Sequence, residues 1–207
     1  EFLFFLISSA FLISLLILES NVYRPDAGLY HLPYTKILNE EKIIFGLSNL
    51  HFRYSHISII QYLSAISNNI IFHDNGIVFA HALVASSVII NFSYQIYIYN
   101  KKKNYNFHFF YLVSILIFII YKMNRYSEYG NDAPSHFLFF FLISEFLNSN
   151  KNSIKDFCNI FILIFFIIFN KITLLMCLFL GLVLLRKNNL FQIFKLKRFY
   201  FLIIFIV

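Results

Sequence analysis

The chain has no tryptophan, two cysteines, three prolines and five glycines in 207 residues, and only 13% of it is charged. Each shortage excludes something. The two cysteines, Cys158 and Cys177, both fall inside apolar runs, where cysteine behaves as a small hydrophobe. No disulfide framework follows from them, and with no HExxH string and no Cys/His ligand spacing a zinc site has no support. No low-complexity linker, internal repeat or second domain is visible. A charged fraction of 13% lies well below the roughly 25% of soluble domains. What fills the chain instead is 59% hydrophobic residues, among them 29 Phe and 14 Tyr. A soluble fold of this length has too little interior to hide them, so the composition predicts an all-α, polytopic transmembrane helix bundle. The net charge of +7 is carried by residues between apolar runs, a topology signal that implies a membrane lipid environment and no nucleic-acid partner.

The apolar runs are Phe2–Leu18, Ile57–Ile66, Gly76–Tyr99, Phe107–Met123, His136–Leu147, Phe157–Phe169, Ile172–Leu185 and Phe199–Val207. Crossing a ~30 Å hydrocarbon core takes about 20 helical residues, so the first, third and fourth runs read as spans. Phe2–Leu18 lacks the basic flank and cleavage site of a signal peptide and reads as a first transmembrane helix. Whether Ile57–Ile66 spans is left open. The basic loops at Lys101–Lys103, at Lys151 and Lys155, and at Arg186, Lys187, Lys195, Lys197 and Arg198 all fall inside if Phe157–Leu185 is broken at Asn170-Lys171 into two short helices. Residues 19–75 and 124–135 then lie outside, with the Asn170-Lys171 apex on the same side. Because the chain begins at Glu1 and ends within an apolar run, 1–207 reads as a single transmembrane domain from the N-terminal part of a longer protein.

Polar chemistry concentrates in the first outside loop. Pro25 suits the first turn of a helix, and Asp26 beside it sits where the positive end of the macrodipole favours a carboxylate. Spacing of four places Asp26, Tyr30 and Tyr34 on one face, with Gly28, His31 and Thr35 near another; Pro33 is expected to kink or end this short interface helix. Gly46-Leu47-Ser48-Asn49 marks a turn, and His51 and Arg53, two apart, point the same way if the segment is extended. Lys36, Glu40, Glu41 and Lys42 have the pattern of a solvated helix face, and His73, His81 and His108 that of isolated packed or interfacial residues.

The second outside loop, Glu128-Tyr129-Gly130-Asn131-Asp132-Ala133-Pro134-Ser135-His136, is a turn leading into a helix, with Asp132 and His136 four apart. Asp132 is either a solvated turn residue or a second carboxylate facing Asp26, and two such acids are a candidate pair for one divalent cation, Mg or Mn. Lys171 stands between two apolar runs. A buried lysine there costs about 2.5–3.5 kcal/mol unless it reaches water or an anion, so it either faces a cavity or snorkels outward.

The strings Asp26-Ala27-Gly28-Leu29-Tyr30-His31 and Gly46-Leu47-Ser48-Asn49-Leu50-His51-Phe52-Arg53 resemble a family of large bacterial polytopic membrane proteins with a D-x-G-L-Y-H loop after the first span, followed by G-L-x-N-L-H-x-R. That family in turn is similar to the GT-C class of glycosyltransferases, which use polyprenyl-phosphate sugars outside the membrane and carry an essential acid in the first outside loop. Tyr54-Ser55-His56-Ile57-Ser58 departs from the family's aromatic-Asn-Ser-Ser run. The resemblance implies a GT-C-like bundle in the bacterial inner membrane, its active face exoplasmic and interface helices in the first outside loop. It implies a polyprenyl-phosphate sugar donor and a glycan or lipid-linked acceptor, with Asp26 as the catalytic base. Tyr30, His31, His51, Arg53, Asp132 and Lys171 would contact substrate. A polymerase or ligase of lipid-linked oligosaccharides would instead depend on Arg53, His51 and His31, and a transporter on mid-membrane groups such as Glu145 and Asn170-Lys171.

Overall fold

The structure is a computed structural model, and it describes residues 2–19, 25–41, 44–55, 58–69, 71, 75–123, 128–149 and 153–184. Within these the chain is all-helical. The elements that concern the site are α1 (Phe2–Glu19), a π-helical turn (Ala27–His31) running into α2 (Leu32–Glu40), α3 (Ile59–Ser67), α4 (Gly76–Lys101), α5 (Phe107–Tyr121), α6 (Asp132–Asn148), α7 (Ile154–Asn170) and α8 (Leu178–Leu184). Arg24, His73, Lys151, the last basic cluster and the run Phe199–Val207 lie outside the described residues.

α4 is the axis of the fold, packing against α1, α3, α5 and α6. Its small buried residues Ala82, Ala85 and Ser86 let neighbouring backbones approach closely, as small residues do between membrane helices. One core cluster joins Ile17 of α1 to Val78, Val88 and Phe92 of α4, Leu112 and Ile119 of α5 and Phe137 of α6. A second joins Leu138 and Leu142 of α6 to Ile160, Ile164 and Ile167 of α7 and to Cys177 and Leu184 beyond it. The outer face of α1 is apolar and open, with Leu3, Phe4, Phe5, Phe11 and Leu16 each at least 60% exposed.

Of the three runs expected to span outright, one does so by length. Among the described residues, α4 alone is both long and apolar enough to cross a bilayer. α5 has 15 residues and reaches only about 23 Å, because the helix ends at Tyr121 and Lys122 caps it in a turn. The run Ile57–Ile66 becomes α3, nine residues long and therefore too short to cross; its N-terminus is capped by Ser58, whose side chain accepts from the Gln61 N–H at 3.4 Å. Asn39 donates to the carbonyls of Ala65 and Asn68 and so closes α2 against the end of α3.

The break at Asn170-Lys171 is present. α7 ends at Asn170, Lys171 is extended at φ −149° and ψ 105°, and a 3-10 turn over Ile172–Cys177 precedes α8. Pro33, by contrast, does not end its helix. It occupies the first turn of α2, where a missing N–H costs nothing, and the turn before it is widened so that the Leu32 N–H reaches back five residues to the Ala27 carbonyl.

Candidate functional site

The widened turn decides which side chains of the first loop meet. In a regular α-helix His31 would stand away from Asp26, with Gly28 and Thr35. With i→i+5 closure Tyr30 and His31 both come round to the Asp26 side, and all three line one cavity of about 440 Å³. His31 is thus moved off the face its spacing suggested. Thr35 keeps to the back, its hydroxyl donating to the His31 carbonyl at 2.8 Å.

The other walls come from three distant segments. Gly46 adopts φ 82°, a left-handed conformation open to glycine, and starts the turn that carries the chain through Leu47–Asn49 to a second 3-10 turn, Phe52–Ser55. This segment is turned rather than extended. Arg53 lines the cavity; His51 stacks against Tyr30 and Phe52 with ring centroids 6.2 and 4.9 Å apart and meets Tyr54 at a tilt, 5.3 Å away. The extended backbone on which a shared direction of His51 and Arg53 depended is absent, yet both side chains meet the Tyr30 ring. The Arg53 guanidinium lies 4.5 Å from the Tyr30 ring centroid, and its Nη1 donates to the Tyr30 hydroxyl at 2.9 Å.

From the far side, the start of α6 and the end of α7 supply Asp132 and Lys171, which form a salt bridge on the cavity wall. Lys171 thus faces a cavity, and Asp132 is more than a solvated turn. Burial alone would raise the Asp132 carboxyl, but the Lys171 hydrogen bond and charge outweigh it and hold the group below its ordinary value. Burial pushes the His31 imidazole down to about 4 despite the nearby Asp132 and Asp26, so the ring is neutral at physiological pH. Tyr30 is raised, first by burial, with Arg53 opposing; Tyr34 is pushed up to about 12, again by burial first.

Gly130 and Gln61 fix the histidine. A Cβ at Gly130 would stand 2.9 Å from His31 Nε2, so only a glycine lets this loop lie flat on the ring. On the other edge, Gln61 Nε2 meets His31 Nδ1 at 3.1 Å. The Gly130 carbonyl is held in turn by Nε2 of the buried His81, at 2.8 Å.

Beneath the cavity runs a polar network that spacing did not reveal. Asn170, wholly buried, accepts from the Ser58 hydroxyl at 2.6 Å and donates to Ser135 Oγ at 2.5 Å and to the Asn131 carbonyl at 3.4 Å. The Asn131 side chain returns the contact by donating to the Asn170 carbonyl at 3.0 Å. Breaking α7 leaves that carbonyl without a helical partner, and Asn131 supplies one. The residues next in sequence to these two asparagines are Asp132 and Lys171, so the network sets the ion pair's geometry. Tyr34 lines the cavity with Asp26 and Tyr30, as their spacing of four suggests, and Phe52, Tyr54, Gln61 and Asn131 also line it without having been assigned a role from the sequence. Lys36 and Glu40 pair at 3.7 Å on an exposed face, as their spacing suggests, and take no part. His108 is buried and packed elsewhere, bonded to Tyr99 and Ser144.

Asp26 and Asp132, the two acids a divalent cation would need, line the same cavity. Among the described residues no three His, Cys, Asp or Glu side chains come together, and the Asp132 carboxylate is engaged by Lys171. The cavity combines two carboxylates, Asp26 and the Lys171-paired Asp132, with two cations, Arg53 and Lys171, and a wall of aromatic rings, a set suited to a ligand with an anionic group and a ring-stacking, hydroxyl-rich part. No curated protein and no solved structure matches the chain. The family model described as Domain of unknown function (DUF8201) matches residues 1–207, and the chain belongs to that family.

Proposed function

We propose that the protein is a membrane glycosyltransferase that moves a sugar from a polyprenyl-phosphate donor to a glycan or lipid-linked acceptor in cell-surface glycan assembly. The observation that carries this reading is the convergence of Asp26, Arg53, Asp132 and Lys171 with Tyr30, Tyr34, Phe52 and Tyr54 on one 440 Å³ cavity. In this reading the chain is a multi-pass protein of the bacterial inner membrane, GT-C-like in arrangement, with the cavity on the exoplasmic side. The open apolar face of α1 and the length of α4 support membrane embedding.

The donor phosphate lies against Lys171 and Arg53, which stabilise charge as it departs. The acceptor oxygen attacks the anomeric carbon, its proton passes to an Asp26 carboxylate oxygen, and the phosphate oxygen leaves with the electron pair of the broken C–O bond. One displacement inverts the anomeric centre. Lys171 must loosen from Asp132 to meet the phosphate, so the ion pair is the resting state of the anion site. No step runs through a metal.

Asp26→Asn tests the assignment. Losing a general base commonly costs about 10²–10⁴-fold in rate, so the complete protein carrying Asp26→Asn should almost cease glycan transfer from a lipid-linked sugar donor while inserting and folding normally. Transfer at the wild-type rate would remove Asp26 from the chemistry. It would favour a lipid-linked oligosaccharide polymerase or ligase resting on Arg53, His51 and His31, or a transporter or structural membrane subunit.

A further inference from the structure

Deeper in the bundle a groove of about 520 Å³ runs between three helices, walled by Leu83 and Asn91 of α4, Leu138 and Phe141 of α6 and Leu163 and Phe166 of α7. Each helix gives its depth. α6 begins and α7 ends at the ion pair, and the groove's residues lie about 9–14 Å along α6 from Asp132 and about 8–12 Å back along α7 from Lys171. On α4 the level of the cavity is marked by His81, which holds the Gly130 carbonyl, and Leu83 to Asn91 lie about 3–15 Å further on. The three helices agree. The groove lies below the cavity, and two of its walls are the helices that carry Asp132 and Lys171 to the cavity.

Among the described residues none that lines the groove is ionisable. Its polar groups are Ser87 and Asn91, both on α4, and Asn91 Oδ1 accepts from Gln95 Nε2 at 2.6 Å. Leu83 is 48% exposed, so the groove opens sideways. Nearer the helix break the space between α4 and α7 is taken by α3, which packs against both and sets Ser58 on Asn170, but α3 has nine residues and contributes none to the groove. A site with two cations above an uncharged slot has the layout of an amphiphile, anion at one end and hydrocarbon at the other.

We propose that this groove holds the hydrocarbon chain of the lipid phosphate whose head lies at Lys171 and Arg53, a single polyprenyl chain that enters past Leu83. This rests on the transferase reading above, which puts the groove within the hydrocarbon of the bilayer. Moving a chain from lipid into protein gains little from the hydrophobic effect, because lipid tails are as apolar as leucine. The phosphate contact therefore sets the affinity. The groove sets the direction in which the chain leaves the phosphate, and with both held, the anomeric carbon on the third side is aimed at Asp26. One groove takes one chain, which separates this lipid from two-chained phospholipids.

The sequence has no tryptophan, so a single introduced indole reports on one place. Full chains carrying Phe141→Trp in the groove, or Phe166→Trp if that variant fails to accumulate, and Phe11→Trp on the open face of α1 are set in phosphatidylcholine nanodiscs. Each is titrated with 11-bromoundecyl phosphate, whose terminal bromine quenches indole at contact. Phe141→Trp should be quenched saturably, with unbrominated dodecyl phosphate restoring the emission, and Phe11→Trp should dim only in proportion to the probe in the bilayer. Adding Lys171→Gln, or Arg53→Gln if that variant does not fold, should raise the half-saturating concentration about tenfold, the loss of one hydrogen bond to a charged group. Quenching of Phe141→Trp that never saturates, or that saturates at the same concentration after the charge is removed, overturns the proposal. If dodecyl phosphate shifts the emission of Tyr54→Trp in the cavity while 11-bromoundecyl phosphate leaves Phe141→Trp bright, the phosphate site stands and the groove assignment falls. If the groove behaves as expected but Asp26→Asn transfers sugar at the wild-type rate, the transferase reading fails and the lipid-phosphate groove stands.

Discussion

Asn170→Leu is the sharpest test of how the ion pair is held. The side chain is wholly buried, and its replacement deletes the acceptor of the Ser58 hydroxyl and the donor that meets Ser135 Oγ, while the volume is nearly kept. A buried polar group left without its partner costs about 1–3 kcal/mol. Ser58 loses its acceptor outright. Ser135 still donates to the Asn131 carbonyl at 2.6 Å, so its loss is the smaller one. The sum is about 2–4 kcal/mol, and at about 2–4 °C per kcal/mol for a chain of this size Tm should fall by about 4–16 °C. The assay is thermal unfolding of the detergent-solubilised protein with a thiol-reactive dye, since Cys177 is buried and becomes reactive on unfolding. Asn131→Ala shares the same bonds, so the double variant should cost less than the two single costs added. A Tm within about 2 °C of wild type, or full additivity, would refute the idea that this network carries the fold around the break.

Three further outcomes follow from the site. His31 binds its proton near 4 in the folded chain against 6.5 when exposed, so the unfolded state takes up the proton first as pH falls. Its contribution to stability is complete above 6.5 and is lost as pH drops from 6.5 through 4; His31→Gln should flatten a Tm-against-pH curve in that window, and an unchanged slope would contradict the burial. Asp132→Asn frees Lys171, and in a transfer assay added Mg or Mn should not restore whatever rate is lost; restoration would mean that the acids share a metal. A cysteine at the exposed Ser48 should react with an impermeant thiol reagent from outside and one at Lys102 should not, with the opposite pattern reversing the proposed orientation.

Much of this architecture was legible because it depends on composition and on punctuation. The helix break at Asn170-Lys171 follows from the placement of basic loops, and the turn at Gly46 from residues that favour one. Asp26, Tyr30, Arg53, Asp132 and Lys171 stand out because charge is scarce in this chain. What spacing could not give was the backbone's departure from ideal periods: the wide turn moved His31 into the cavity, and 3-10 turns stand where an extended segment was expected at His51 and Arg53. Gln61, Ser58 and Asn131 were illegible for another reason. Each is an ordinary turn, cap or helix residue whose role exists only through a partner remote in sequence, as between Ser58 and Asn170. Asn131 is also buried, so it is a support of the loop rather than an exposed reporter of it.

The wide turn at Ala27–His31 makes the cavity depend on a count of residues rather than on their identity. Leu29, inside that turn, is 66% exposed and touches the cavity nowhere, yet it occupies the place that brings Tyr30 and His31 round together. Shortening the stretch by one residue would restore the ordinary helical pitch and carry one of those two rings away from Asp26, whereas exchanging Leu29 for another side chain would leave the geometry standing. The distance in residues from Asp26 to Pro33 is in this sense a dimension of the site, and the proline, which has no N–H to offer an α-helical partner, marks where the wide gauge ends and the regular one resumes.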